Sequence, residues 1–170
     1  PEAVDYYLTN DFSANGERKY SAAEIPASAH PFTPVAVRVK NNANVTTDNL
    51  LSVEPVTIEV EYELATDVTG LRVGVYLMTS RGEYVLTSFD TDDPEKYHAL
   101  GVRKAGRYIS RCTIPADTLN EGRFVIGINA SSYMVKRYFA DERAINFTIN
   151  ATGAPGMQWV EVRQGPLRPR

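Results

Sequence analysis

The sequence is short of the residues that most enzymatic reactions need. Cys112 is its one cysteine, so an internal disulfide is excluded. A domain of this size without a disulfide suits a reducing compartment, and the cytoplasm is the expected location. Only His30 and His98 offer imidazoles, one in a proline-punctuated stretch and one in a loop, and neither makes a triad with a Ser or Cys nucleophile. The 11 glycines are scattered through turns and strands and form no phosphate-cradling loop, so this segment is not expected to bind ATP. An excess of one charge is missing as well: 18 basic residues against 21 acidic ones provide no field to hold nucleic acid or an anionic membrane surface. No apolar run approaches the roughly 20 residues that span a bilayer, and no basic-then-apolar leader opens the chain, so a soluble protein is expected.

The 170 residues suit one domain, and a chain of that size buries about 70% of its unfolded surface. Residues 1–33 read differently from the rest. PEAVDYYLTND has a short helical stripe at Ala3, Val4, Tyr7 and Leu8, and residues 10–33 are small, polar and proline-punctuated, which reads as a tether. The opening Pro1, without methionine, reads as a piece excised from a longer protein, whose preceding domain would own the helix. From residue 34 to 170 the period is two, with strands expected at 34–40, 55–64, 71–79, 84–90, 106–114, 122–131, 144–150 and 158–164. The fold class that follows is all-β, an immunoglobulin-like antiparallel β-sandwich of about eight strands with no internal helix.

Local patterns sharpen that reading. In PVTIEVEYEL the apolar row Val56, Ile58, Val60, Tyr62 and Leu64 alternates with Thr57, Glu59, Glu61 and Glu63, a face expected in water. SRGE, with Gly82 free to take positive φ, predicts a hairpin. Tyr108, Ser110, Cys112 and Ile114 share a face, which makes Cys112 a small core residue. N-glycosylation patterns occur at Asn44, Asn129, Asn146 and Asn150, but Asn129 and Asn146 fall inside expected strands and not in surface loops, so the patterns read as chance.

The densest polar cluster is DTDDPEKYH, residues 90–98. Its Asp90, Asp92 and Asp93 are hard oxygen ligands that fit calcium, or else form a solvated acidic turn, since the glycine and distal glutamate of an EF-hand loop are missing. No pair among the acidic residues stands out as glycosidase-like.

A binding face is the stronger signal. In LRVGVYLM the row Val73, Val75 and Leu77 belongs to the core, and Arg72, Gly74, Tyr76 and Met78 point the other way. In EGRFVIGINASS the core row is Phe124, Ile126, Ile128 and Ala130, which leaves Val125, Gly127, Asn129 and Ser131 outward. In an immunoglobulin-type sheet these strands are neighbours, so Arg72, Gly74, Tyr76, Gly127, Asn129, Ser131, Asn146 and Thr148 are expected on one face. Low glycine floors, an aromatic ring and directed amide, hydroxyl and guanidinium groups are what a sugar uses: C–H stacking on the ring, hydrogen bonds to the hydroxyls. The alternative is that the glycines serve sheet twist or close packing and Tyr76 is an ordinary strand aromatic.

VAVRVKNNANVTTDNLLSVEPVTIEVEYEL, LRVGVYLMTSRGEYVLTS, AGRYISRCTIPADTLNEGRFVIGINA and the closing WVEVRQGPLRPR resemble the C-terminal domain of the ATP-binding subunit of O-antigen polysaccharide ABC transporters (Wzt-type). The most specific parts are the G-x-Y…IP…L-x-x-G-x-F/Y run and the final G-x-x-R-P. PEAVDYYL looks like the last helix of that family's ATPase domain. The resemblance implies a non-catalytic module that binds lipid-linked O-antigen polysaccharide at the cytoplasmic face of the bacterial inner membrane. It implies no cofactor in this segment, with ATP and magnesium held by a preceding nucleotide-binding domain. The implied partners are the glycan, that nucleotide-binding domain, the transmembrane subunit and a second copy, paired by exchange of the late strand QWVEVRQ. Family members commonly run past R-P to an acidic residue and a tryptophan, so the C-terminus is expected to be cut. The matching motifs are framework positions, so the site residues rest on the shared-face argument alone. A dimerisation or docking domain that contacts protein is the alternative function.

Overall fold

The computed structural model describes residues 15–150 and 165–167. In chain order the strands are β1 (Glu17–Lys19), β2 (Phe32–Lys40), β3 (Asn49–Leu51), β4 (Val56–Leu64), β5 (Val68–Thr69), β6 (Leu71–Thr79), β7 (Tyr84–Phe89), β8 (Val102–Arg103), β9 (Gly106–Ile114), β10 (Gly122–Ser132) and β11 (Lys136–Asn150), with a short helix α1 (Pro94–Ala99) between β7 and β8. One sheet runs β1-β2-β4-β9 and the other β3-β11-β10-β6-β7, with β5 and β8 pairing separately. All pairings are antiparallel except β3 with β11. This is the all-β sandwich expected from the period-two pattern, except that α1 is an internal helix where none was expected, started by the Asp93 cap and by Pro94 in its first turn.

The alternation decides which side of each strand is buried. Val73, Val75 and Leu77 on β6 and Phe124, Ile126, Ile128 and Ala130 on β10 pack against Ile58, Val60 and Tyr62 of β4 and Val37 and Val39 of β2. Each of the buried Val, Leu, Ile and Phe side chains contributes about 1.5–3 kcal/mol by leaving water. Phe124 and Phe147 stack at 5.6 Å, and Phe32 stacks on Tyr62 at 5.0 Å. The SRGE hairpin forms as expected, with Gly82 at φ +85° and Thr79 N–H donating to Glu83 O at 2.9 Å.

Several expectations need correction. The lead-in is packed structure from residue 15: β1 pairs with β2, Ala29 is fully buried, and the Tyr20 hydroxyl donates to Asp141 Oδ2 at 2.9 Å. Short segments of this kind carry too few residues for a period to show. The outward face of β4 is covered, since Glu59 is 3% exposed and Glu61 8%. Basic side chains from the flanking strands lie over them: Lys40 and Arg111 on Glu59 at 3.0 and 2.8 Å, Arg38 and Arg107 on Glu61 at 2.7 Å each. β11 begins at Lys136, eight residues before the expected 144, because register shifts against β10 break the alternation in its first half. Cys112 is half-buried at the sheet edge, and burial, with the charge of Asp92 added, pushes its thiol pKa up against a hydrogen bond to Ser88. It is a packing residue with a protonated thiol. The expected strand at 158–164 and the N-terminal helix lie outside the described residues. No helix among the described residues is long and apolar enough to cross a membrane.

Candidate functional site

The pairing of β6, β10 and β11 settles the shared face. Tyr76 lies opposite Gly127, Gly74 opposite Asn129 and Arg72 opposite Ser131, while Asn146 and Thr148 lie opposite Val125 and Arg123. Residues directly opposite in a ladder point the same way, so all eight expected residues are on the outer face of the five-stranded sheet. They are not all in one place. An open concavity of about 350 Å³ gathers Arg72, Tyr76, Asn129 and Ser131 at the end where β10 turns into β11. Asn146 and Thr148 lie farther along β11 and do not line it.

Neither glycine provides a floor for a ligand. A Cβ on Gly74 would meet the Phe89 ring at 2.4 Å, and one on Gly127 would meet the Glu142 carbonyl oxygen at 2.9 Å. Gly74 seats the aromatic of the neighbouring strand, and Gly127 admits the irregular backbone of β11. The close-packing alternative holds for both.

Phe89 in turn organises Arg72. The guanidinium carbon sits 4.3 Å from the Phe89 ring centre and 4.7 Å from that of Tyr133, so Arg72 is held by two rings. Its Nε is buried without a hydrogen-bond partner. Tyr76 stands edge-on to Phe89 at 6.4 Å and to Tyr84 at 5.8 Å, which continues the aromatic row. Asn129 is 6% exposed and lines the concavity.

The far wall is the β10–β11 hairpin, which sequence reasoning passed over. Tyr133, Met134 and Val135 are 67%, 87% and 82% exposed, and Met134 takes φ +58° at the turn. Lys136 and Arg137 complete the lining. The signal was present in SSYMVKR: three large apolar residues in a turn between two strands. Lys136 Nζ donates to the His30 carbonyl at 3.0 Å and lies over the Tyr138 ring at 5.0 Å.

The acidic cluster does other work. Asp90 accepts from Val73 N–H at 2.9 Å, from the Ser110 hydroxyl at 2.7 Å and from Arg103 Nη1 at 2.8 Å. Arg103, 2% exposed, also donates to the Tyr62 hydroxyl and to the Leu71 carbonyl at 3.0 Å. Burial disfavours its charge, but Asp90 and Tyr62 outweigh this and raise its pKa. Asp92 accepts from Phe89 N–H at 2.8 Å, and Asp93 caps α1 by accepting from Glu95 N–H at 3.0 Å. Among the described residues no group of three or more His, Cys, Asp or Glu is placed to hold a metal. The calcium reading of Asp90, Asp92 and Asp93 gives way to a buried ion pair, a turn and a helix cap.

Comparison with known proteins agrees with this architecture. Residues 33–160 match the family model described as the Wzt C-terminal domain. Among solved structures, the chain is similar to a crystal structure of the C-terminal domain of wzt, with a TM-score of 0.56 and 12% identity over 71% of this chain and 74% of that one. At that identity the likeness concerns the fold alone. No curated protein sequence matches.

Proposed function

The chain belongs to the Wzt C-terminal domain family, and from that premise we propose that it is a non-catalytic glycan-binding module. Its ligand is lipid-linked O-antigen polysaccharide, read at the cytoplasmic face of the inner membrane for export by the ABC transporter that carries the module. ATP and magnesium belong to the nucleotide-binding domain of the same subunit, and the working unit is a homodimer beside the transmembrane subunit. The observation that carries the reading is the concavity at the β10–β11 turn, whose lining includes the rings of Tyr76 and Tyr133 and the polar side chains of Asn129 and Ser131. A sugar has both an apolar C–H face and a rim of hydroxyls, and this arrangement matches each.

Calorimetric titration of the protein with the O-polysaccharide of its own cell tests the proposal. Tyr133→Ala and Asn129→Ala should each weaken binding by about tenfold, the worth of roughly 1.4 kcal/mol, with an unchanged melting temperature for Tyr133→Ala. If both variants bind as tightly as the parent, the site is elsewhere.

The exposed tip of Tyr133, Met134 and Val135 favours a second reading, in which the hairpin docks onto protein. On that reading the domain associates in sedimentation, ignores every glycan, and loses association in Met134→Ser/Val135→Ser.

A further inference from the structure

β7 and β9 are edge strands, one in each sheet. A cleft of about 470 Å³ lies between them, within the range of about 300–1,000 Å³ common to ligand pockets. The side chains that face it come from rows that elsewhere make the core. Ser88 lies opposite Val75, and Tyr108, Ser110 and Cys112 lie opposite Tyr62, Val60 and Ile58, so all four point between the sheets. Their opposite numbers are at most 3% exposed, whereas these four are half-buried. A row built for packing alone would carry aliphatic side chains at these positions.

Charge in the cleft is balanced: three cations and three carboxylates line it. Arg103 holds Asp90 at 2.8 Å, Lys96 holds Asp93 at 3.4 Å, and Arg111 is bound to Glu59 at 2.8 Å. What the lining offers beyond these pairs is hydrogen bonding. The Tyr108 hydroxyl donates to the Lys104 carbonyl at 2.7 Å, which leaves its oxygen able to accept. Asp92 engages the Phe89 N–H through Oδ2 alone. Arg103 is 2% exposed, and its Nε is buried without a hydrogen-bond partner among the described residues. Leu100 and Ile109 add an apolar part, and α1, which has no buried residue, borders the cleft through Lys96.

We infer that this cleft is a second saccharide site, separate from the concavity, which takes one uncharged sugar unit. Asp92, Tyr108 and Ser88 meet its hydroxyls, and Leu100 and Ile109 meet its C–H face. An ionic ligand would find the counter-charges already taken, and a purely apolar one would cover hydroxyls without replacing their hydrogen bonds to water. The inference rests on the glycan-binding reading and adds a second point of contact for the polymer. Phe89 belongs to the lining of the cleft, and its ring packs on Arg72 of the concavity, so the two hollows share a residue.

Cys112 lines the cleft and is the single cysteine of the chain, so it serves as the probe. The full chain is alkylated with iodoacetamide at about pH 9, where enough of the thiol ionises to react. Methyl glycosides of neutral hexoses, 6-deoxyhexoses and N-acetylhexosamines are added one at a time, with glycerol as the control, and modification of Cys112 is followed by mass spectrometry. At about ten times its Kd, a bound glycoside should slow alkylation about tenfold, whereas glycerol should not. Protection is taken as the ratio of rates without and with glycoside in the same variant. Asp92→Asn keeps an oxygen for the Phe89 N–H and should lower the protection severalfold, and Ser88→Leu, which fills the cleft, should abolish it. Equal protection by glycosides and glycerol is a solvent effect and overturns the inference. Parent-like protection in Asp92→Asn overturns it as well, whether or not Ser88→Leu folds. Protection that disappears in Tyr133→Ala also overturns it, since the thiol would then be sensing the concavity. If no glycoside protects Cys112 while the O-polysaccharide of the cell still binds in the calorimeter, the cleft is not a sugar site and the glycan-binding reading stands. Absence of both protection and calorimetric binding sinks the reading and the inference together.

Discussion

A methyl group at position 74 has nowhere to go, because it would sit 2.4 and 2.7 Å from two atoms of the Phe89 ring and 2.7 Å from the Ser88 carbonyl oxygen. Gly74→Ala should cost about 1–3 kcal/mol, the usual penalty for overpacking, read from urea unfolding midpoints. Because Phe89 is one of the two rings around Arg72, the same substitution should also weaken ligand binding. Asp90 is the other position where one side chain decides much. Asp90→Ala leaves the buried Arg103 guanidinium without its counter-charge, and the expected loss is about 3–5 kcal/mol. Asp93→Ala removes only a helix cap, worth about 1 kcal/mol. A chelator should leave the melting temperature unchanged, since the oxygens of these aspartates are engaged with the chain's own donors. From the sequence, Gly74 looked like a floor and Asp90 like part of a solvated acidic turn or a calcium ligand; a single strand does not reveal what a neighbouring strand places over it.

At the scale of the element, β4 carries the clearest electrostatic consequence. Burial alone would raise the carboxyl pKa of Glu59 and Glu61, but hydrogen bonds from Arg111 and Lys40, and from Arg38 and Arg107, reverse this and hold both below the ordinary value of 4.5. A depressed folded-state pKa means stability that is present above the unfolded value and lost as pH falls through the folded one. The unfolding midpoint should therefore be flat above about pH 5 and drop below about pH 4.5. Glu59→Gln should lower the plateau and flatten the acid limb, measured by denaturant titration across that range. The β10–β11 hairpin behaves oppositely. Met134 and Val135 are 87% and 82% exposed, so Met134→Ser/Val135→Ser should change the unfolding free energy by no more than a surface change does, about 0.5 kcal/mol. The alternation of β4, β6 and β10 was legible because each has one apolar and one polar row. The first half of β11, KRYFADER, was not, because register shifts spoil its period.

For the whole molecule, the lead-in is the part whose status changed most. Phe32 is 1% exposed and stacks on Tyr62, Ala29 is fully buried, and Tyr20 is bound to Asp141 across more than a hundred residues of chain. A chain that starts at residue 34 should therefore melt well below one that starts at residue 15, because losing a buried Phe alone costs about 3–5 kcal/mol. Circular dichroism melts of the two fragments check this.

By itself the sequence determined the all-β class, the core rows and the family, because strand period and framework motifs are local and survive without any knowledge of partners. It also determined that Arg72, Tyr76, Asn129 and Ser131 share a face, since alternation and one assumed strand order were enough. Only the tertiary structure decided that the two glycines are filled, that the β10–β11 hairpin closes one end of the site, and that three cations meet there without an acid among them. Those facts depend on which strands lie side by side and at what register, and that is set by packing of the whole sandwich.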